Sequence, residues 1–339
     1  MIRFGIIGTN WITEAFLKAA ALTEGFELTS VYSRSEDKAR SFAAQWGAAH
    51  SYSDLEAFAA SPHLDAVYIA SPTSLHAEQA MLCMRHGKHV LCEKPLASNA
   101  HEIEAMVATS QAHGVLLMEA LKTTLLPNFE AIRENLPRIG KVRRYVANYG
   151  QYSSRYDAYK QGTVLNAFDP AFSNGSLMDL GVYGVYPLIT LFGPPQKVLA
   201  TGVLLESGVD GEGSVLMTYP GMEAVVMHAK ITNSSLPSEI QGEDGSLVID
   251  KISQPGRVEL YLRDGSREDL TRPQDEQTMV YELREFLGIL ERGERESSVN
   301  SHLRSLQTMQ VLDEARRQIG LVFPADLKAA AASSSEGTR

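Results

Sequence analysis

Asp179 and Tyr183 stand four residues apart in the run Gly175-Ser176-Leu177-Met178-Asp179-Leu180-Gly181-Val182-Tyr183. On a helix that spacing puts both side chains on one face. A carboxylate beside a phenol suits the handling of an alcohol proton, but a free tyrosine titrates near pH ~10. That is too high for a base near neutrality. A neighbouring ammonium favours tyrosinate and lowers the value. Bringing it down by about 3 units takes roughly 4 kcal/mol of differential stabilisation. Lys94, in Cys92-Glu93-Lys94-Pro95-Leu96, is the candidate cation. Pro95 biases its backbone to an extended form and so directs the side chain. Proton transfer by such a group is worth about 10²–10⁴ in rate. The competing reading is structural: a tyrosine packed in a core or interface, and an aspartate that serves only its helix.

A second group of residues suits a phosphorylated cofactor. Gly8-Thr9-Asn10-Trp11-Ile12-Thr13 follows an apolar run and opens a helical pattern. Gly8 fits the tight turn of a dinucleotide fingerprint. Asn10 and Thr13 replace its second and third small residues. Asn tolerates positive φ, so the turn is expected to survive, with free N–H groups of the helix start turned to phosphate. The next apolar run ends in Ser33-Arg34-Ser35. NAD-binding folds place an acidic residue there, on the ribose hydroxyls. Two hydroxyls and a guanidinium suit a 2′-phosphate instead, so NADP is favoured over NAD. The alternatives are a plain turn at Gly8, a helix cap at Ser35 and a solvated Arg34.

These residues need elements to hold them. Short apolar runs at 2–8, 26–32, 65–70, 89–92 and 115–120, with a weaker one at 48–50, alternate with helical patterns at 11–23, 36–46, 54–60, 74–86 and 100–113. Ser53 with Glu56 and Asn99 with Glu102 read as capping boxes, and Gly25, Gly47, Gly87 and Gly114 as helix stops. Such alternation predicts a doubly wound parallel sheet of Rossmann type over residues 1–120, with its ligand crevice at the strand C-termini. Beyond Pro127, alternating runs separated by Pro220-Gly221, Asp244-Gly245 and Asp264-Gly265 predict an α+β domain with a large, mostly antiparallel sheet over 121–328. Helices are expected near 128–136, 176–192, 276–292 and 301–319. The tail 329–339 is expected to be disordered.

Together, the Gly8 turn, Ala70-Ser71-Pro72-Thr73-Ser74-Leu75-His76, Glu93-Lys94-Pro95 and Asp179-Leu180-Gly181-Val182-Tyr183 resemble the glucose–fructose oxidoreductase / inositol dehydrogenase / rhizopine catabolism (Gfo/Idh/MocA) family. The Asp-Leu-Gly-Val-Tyr form looks most like its dihydrodiol dehydrogenase branch, and the resemblance spans nearly all of 1–324. It implies hydride transfer between NAD(P) and a secondary alcohol or its ketone on a sugar, polyol or cyclic diol. It implies that Lys94 is the active-site lysine, Tyr183 the acid/base and Asp179 its acidic partner, set to hold Lys94 or the substrate hydroxyl. Gly8, Thr9, Asn10, Trp11, Ile12, Ser33, Arg34, Ser71, Thr73, His76, Glu93 and Lys94 are the cofactor candidates. For His76, a ribose contact competes with a capped surface position. The branch carries an aromatic residue where Lys122 stands and arginine where Thr124 stands. That departure points away from dihydrodiol substrates and leaves Lys122 either to bind a hydroxyl-rich or anionic substrate or to face solvent. Tyr152 is a further substrate candidate, or a packing residue. The resemblance also implies a homodimer or homotetramer built through the C-terminal sheet.

Composition narrows the rest. The 339 residues carry 41 acidic and 31 basic side chains, a net charge of −10. The surplus is even: 13 acidic and 8 basic residues fall in 1–120, so each part carries about half of it. No part looks built to grip nucleic acid or an anionic membrane. The apolar stretches, such as 185–192, read as too short for a membrane span. Cys83 and Cys92 read as inert buried thiols, and a cytoplasmic location is expected. Nine scattered histidines show no metal-ligand spacing. Two other functions compete with an oxidoreductase: a catalytically silent dinucleotide-binding regulator, and a redox-neutral glycosidase that uses NAD transiently.

Overall fold

The computed structural model describes residues 1–328; the tail 329–339 lies outside the described residues. The chain forms two compact units. The first contains strands β1 (Ile2–Ile7), β2 (Phe26–Tyr32), β3 (His50–Tyr52), β4 (Ala66–Ile69), β5 (His89–Glu93) and β6 (Leu117–Ala120). Helices α1 (Trp11–Ala20), α2 (Glu36–Trp46), α3 (Leu55–Ala59), α4 (His76–Arg85) and α5 (Ala100–His113) alternate with them. All pairs are parallel, in the order β3-β2-β1-β4-β5-β6. The order reverses between β1 and β4, the switch point at which such sheets bind ligands. β1, β4 and β5 are largely buried because helices cover both faces of a parallel sheet.

Gly8 leaves β1 at φ +104, and a Cβ there would meet the Ala70 carbonyl oxygen at 2.7 Å, so glycine is required. One local expectation changes. α3 is capped by Asp54, which accepts from the Ala57 N–H at 2.7 Å, not by Ser53. Aspartate one residue closer reaches the free N–H groups better. Asn99 caps α5 by accepting from the Glu102 N–H, and Glu102 accepts from the Ser98 N–H at 2.9 Å.

The second unit opens with α6 (Pro127–Asn135), β7 (Val142–Gly150) and α7 (Tyr156–Lys160). A wide π-helical turn, Leu177–Gly181, runs into α8 (Val182–Phe192). Then come β8 (Lys197–Leu204), β9 (Asp210–Tyr219), β10 (Met222–Ala229), β11 (Ser238–Gly242), β12 (Gly245–Ile249), β13 (Val258–Leu262) and β14 (Arg267–Asp269). Their order is β14-β13-β12-β11-β7-β10-β9-β8. Every neighbouring pair is antiparallel except β7 with β10. α8 covers one face. Its Gly184 lies so close to Val226 and Ala147 that a Cβ would meet Val226 at 2.6 Å. The stretch Pro170–Phe192 is in fact long and apolar enough to cross a membrane, but 72% of its apolar 18-residue window is buried in the fold, as suits a core segment.

The chain changes units near residue 120, but 121–328 is not one unit. The first unit comprises Met1–Lys122 and Asp275–Ser305. Helix α9 (Val280–Glu291) returns to it because Leu283, Phe286 and Ile289 form a buried apolar stripe. Phe286 lies 5.7 Å from Phe4 of β1, ring to ring.

Candidate functional site

The cofactor candidates of the first unit cluster at the C-terminal edge of its sheet. Asn10 has φ −112, so its place in the turn does not use positive φ. It caps α1 instead. Its Oδ1 accepts from the Ile12 and Thr13 N–H groups, and its Nδ2 donates to the Ala70 carbonyl at 2.7 Å. Thr13 donates to the Gly8 carbonyl at 3.0 Å. The two departures from the glycine fingerprint thus bolt the β1 turn to the end of β4. They also occupy two N–H groups that were expected to be open to phosphate. Thr9 and Ile12 are half-buried, and Trp11 is 69% exposed.

At the end of β2, Ser35 caps α2 and its N–H contacts the Ser33 hydroxyl, while Arg34 is exposed. No carboxylate stands among these three residues, so the donor set fits a 2′-phosphate. Past β4, Ser71 donates to Gln79 at 2.6 Å, and Thr73 is half-buried. His76 is neither on the surface nor open to a ribose: it is 1% exposed. Its ring nitrogens lie 3.1 Å from the Pro95 carbonyl and 2.9 Å from that of Ser71, and burial lowers its pKa. It is a strut between the β4 and β5 exits.

Lys94 follows β5 on a segment pinned from several sides. Glu93 accepts from the Lys94 N–H at 3.2 Å and from the Tyr68 hydroxyl at 2.6 Å. Glu119 accepts from the Leu96 N–H at 3.0 Å, and burial pushes its carboxyl up to about 7. Glu93 therefore faces the protein interior, where burial raises its pKa against the pull of Tyr68, Lys94 and Lys122. Lys122 does not simply face solvent. Burial lowers its pKa while Glu282 and Glu93 raise it. Glu282, on α9, was not singled out from sequence. It is 1% exposed, neither carboxyl oxygen has a hydrogen-bond partner, and burial holds it well above the usual carboxylate range. Two lysines and two buried carboxyls thus share one corner of the first unit.

In the second unit, Asp179 lies in the π-helical turn and Tyr183 in the first turn of α8. The five-residue winding alters the plain i, i+4 relation, and such bulges re-aim side chains. Within this unit Asp179 pairs with Lys230, whose Nζ lies 3.0 Å from Oδ2. Sequence reasoning missed this lysine, which nothing near it in the chain marks out. The ring of Tyr183 meets that of Tyr149 edge-on at 5.8 Å. Asp210 anchors the start of the turn by accepting from the Leu177 N–H at 2.6 Å. Burial raises Asp210 to about 6 and lowers His228 to about 3; His228 Nδ1 lies 2.9 Å from the Ser176 hydroxyl. Tyr152 donates to Asp157 at 2.7 Å and joins a cluster with Tyr156. Among the described residues no group of histidine, cysteine and acidic side chains could hold a metal. Both cysteines are free and buried.

The family model described as oxidoreductase family, NAD-binding Rossmann fold, matches residues 2–121, and that of the GFO/IDH/MocA C-terminal domain matches 131–248. The chain belongs to the Gfo/Idh/MocA oxidoreductase family. Among its relatives, scyllo-inositol 2-dehydrogenase (NADP(+)) of Bacillus subtilis is 57% identical, over 96% of this chain and 99% of that protein. Trans-1,2-dihydrobenzene-1,2-diol dehydrogenase of Mus musculus is 32% identical, with the same coverage. A 3-ketoreductase from Actinomadura kijaniata, crystallised with NADP and TDP-benzene, superposes with a TM-score of 0.84 at 25% identity, covering 94% of this chain and 98% of that one.

Proposed function

We propose that this protein is an NADP-dependent dehydrogenase that moves hydride between the nicotinamide and a secondary alcohol, or its ketone, of a cyclic polyol of the inositol class. The observation that carries this reading is the 57% identity to the scyllo-inositol enzyme, which runs through both units. Lys122 and Thr124, where the dihydrodiol branch carries an aromatic and an arginine, support a hydroxyl-rich substrate over an aromatic diol.

When bound, the nicotinamide supplies or takes up the hydride. The Gly8–Ile12 turn, Ser71 and Thr73 hold the cofactor, and Ser33 and Arg34 hold its 2′-phosphate. Tyr183 gives or receives the hydroxyl proton, Asp179 orients that hydroxyl, and Lys94 supplies positive charge to the reaction. Glu93 and His76 act by fixing the segment that carries Lys94. Lys122 and Tyr152 contact substrate.

Initial rates followed by reduced-nicotinamide absorbance, with inositols, sugars and diols against NADP⁺ and NAD⁺, test the reading. Activity confined to diols, or absent with every cyclic polyol, would remove the substrate class. Arg34→Ala is expected to weaken NADPH binding about 10–100-fold, the worth of a charge-assisted hydrogen bond, with NADH changed less than about 2-fold. Equal losses would remove Arg34 as the 2′-phosphate ligand.

Assembly through the second sheet is part of the same reading. Leu199, Leu216, Val225 and Val146 are neighbours across β8, β9, β10 and β7, and none is fully buried. Sedimentation is expected to show a dimer or tetramer; a monomer at micromolar concentration contradicts it. Two free buried thiols suit the reducing cytoplasm.

A further inference from the structure

Lys230 follows β10 and is 3% exposed, an expensive place for an ammonium. Its backbone is fixed, for its N–H donates to the Gly211 carbonyl at 2.8 Å. The three donors of the ammonium have three directions to serve. Nζ lies 3.2 Å from the Ala167 carbonyl, 3.3 Å from Asn174 Oδ1 and 3.0 Å from Asp179 Oδ2. The ring of Phe168 lies beneath it at 5.4 Å. Phe168 in turn packs on Tyr156 and Tyr159. The cation is therefore held in one geometry by a backbone carbonyl, an amide oxygen, a carboxylate and an aromatic face.

Asp179 differs from its partner. Its side chain is 38% exposed. The pair thus has a buried end and an open end, and the open end is the carboxylate. The backbone of the same turn is pinned by a second carboxyl, Asp210, whose ionised form the Lys230 charge also favours. Asp210 binds the Leu177 N–H, and Gly175 packs so tightly that a Cβ would meet Asp210 Oδ1 at 2.1 Å. One acceptor fixes the start of the wide turn, and one cation fixes the side chain in its middle.

We propose that Lys230 is a positioning residue for the hydride-transfer reaction: it holds the Asp179 carboxylate in the orientation from which it can orient a substrate hydroxyl. The proposal rests on the reading of Asp179 given under Proposed function. A merely structural Lys230 would tie the segment around Ala167 and Asn174 to β10 and act on turnover without passing through Asp179.

A double-mutant cycle separates the two. Lys230→Met removes charge and donors, Lys230→Gln removes the charge but keeps donors, and each is also made with Asp179→Asn. kcat and KM are measured with NADP⁺ and the fastest cyclic polyol, and NADPH affinity is measured by fluorescence. Both single Lys230 variants are expected to lose about 10–100-fold in kcat, the range for a charge-assisted hydrogen bond, with NADPH affinity unchanged. In the Asp179→Asn background the same changes are expected to cost less than about 2-fold. Lys230→Gln with wild-type kcat, or full additivity with Asp179→Asn, overturns the proposal. If Asp179→Asn itself turns over at the wild-type rate, the reading of Asp179 fails and takes the role of Lys230 with it. If Asp179→Asn is impaired and the losses add, only the role of Lys230 fails.

Discussion

Tyr183→Phe is expected to lower kcat by about 10²–10⁴, the usual worth of a positioned acid/base, with little change in NADPH affinity. The substitution removes one oxygen atom. The ring remains, and with it the edge-on contact to Tyr149. A fold effect is therefore expected to be small, and the loss reports the proton step. Steady-state rates in both directions, with cofactor titrations on the same preparations, make the check. A variant that keeps kcat within about 3-fold of the wild type would show that another group moves the proton.

Lys94→Ala is expected to cost about 10²–10³ in kcat, within the same acid/base range. The reasoning starts from the charges of the first unit. Glu93 and Glu282 are buried carboxyls whose ionised forms depend on nearby lysines, and Lys94 and Lys122 both act on Glu93. Removing Lys94 takes away a cation that favours ionised Glu93, so the Glu93 carboxyl is expected to rise further. The segment itself is expected to stay in place. Its anchors are the Glu93 carboxylate on a backbone N–H, Glu119 on the Leu96 N–H and His76 beside the Pro95 carbonyl, none of which uses the Lys94 side chain. Turnover is thus expected to fall while NADPH affinity changes by less than about 5-fold. Wild-type turnover in Lys94→Ala would take the lysine out of the chemistry.

The parallel sheet was legible because its signals are local. Apolar runs, helical periods and glycine stops each involve a few adjacent residues. The Gly8 turn was legible for the same reason. Lys230, Glu282 and Asp210 were not, because each matters through a partner far away in the chain. A lone lysine after a strand carries no sign that it will be buried on an aspartate from another element. Asn10 was seen but misread. A glycine fingerprint suggests replacement by backbone tolerance, whereas the structure uses the amide as a cap and a strut. The π-helical turn was hidden too, since one extra residue in a winding leaves the apolar pattern almost unchanged. The cap of α3 slipped by one residue because Ser53 and Asp54 are both good caps.

The return of α9 has a bearing on synthesis. A nascent chain released only as far as Lys122 has its six parallel strands but lacks Phe286 and Leu283, so the apolar side around Phe4 stays uncovered. Domains commonly mature in the order in which they leave the ribosome. Here the segment made first waits for one made near the end, and the second unit has the earlier opportunity to finish its sheet. Cutting the gene after residue 122 does not isolate a complete cofactor module. A complete one includes residues 275–305 as well.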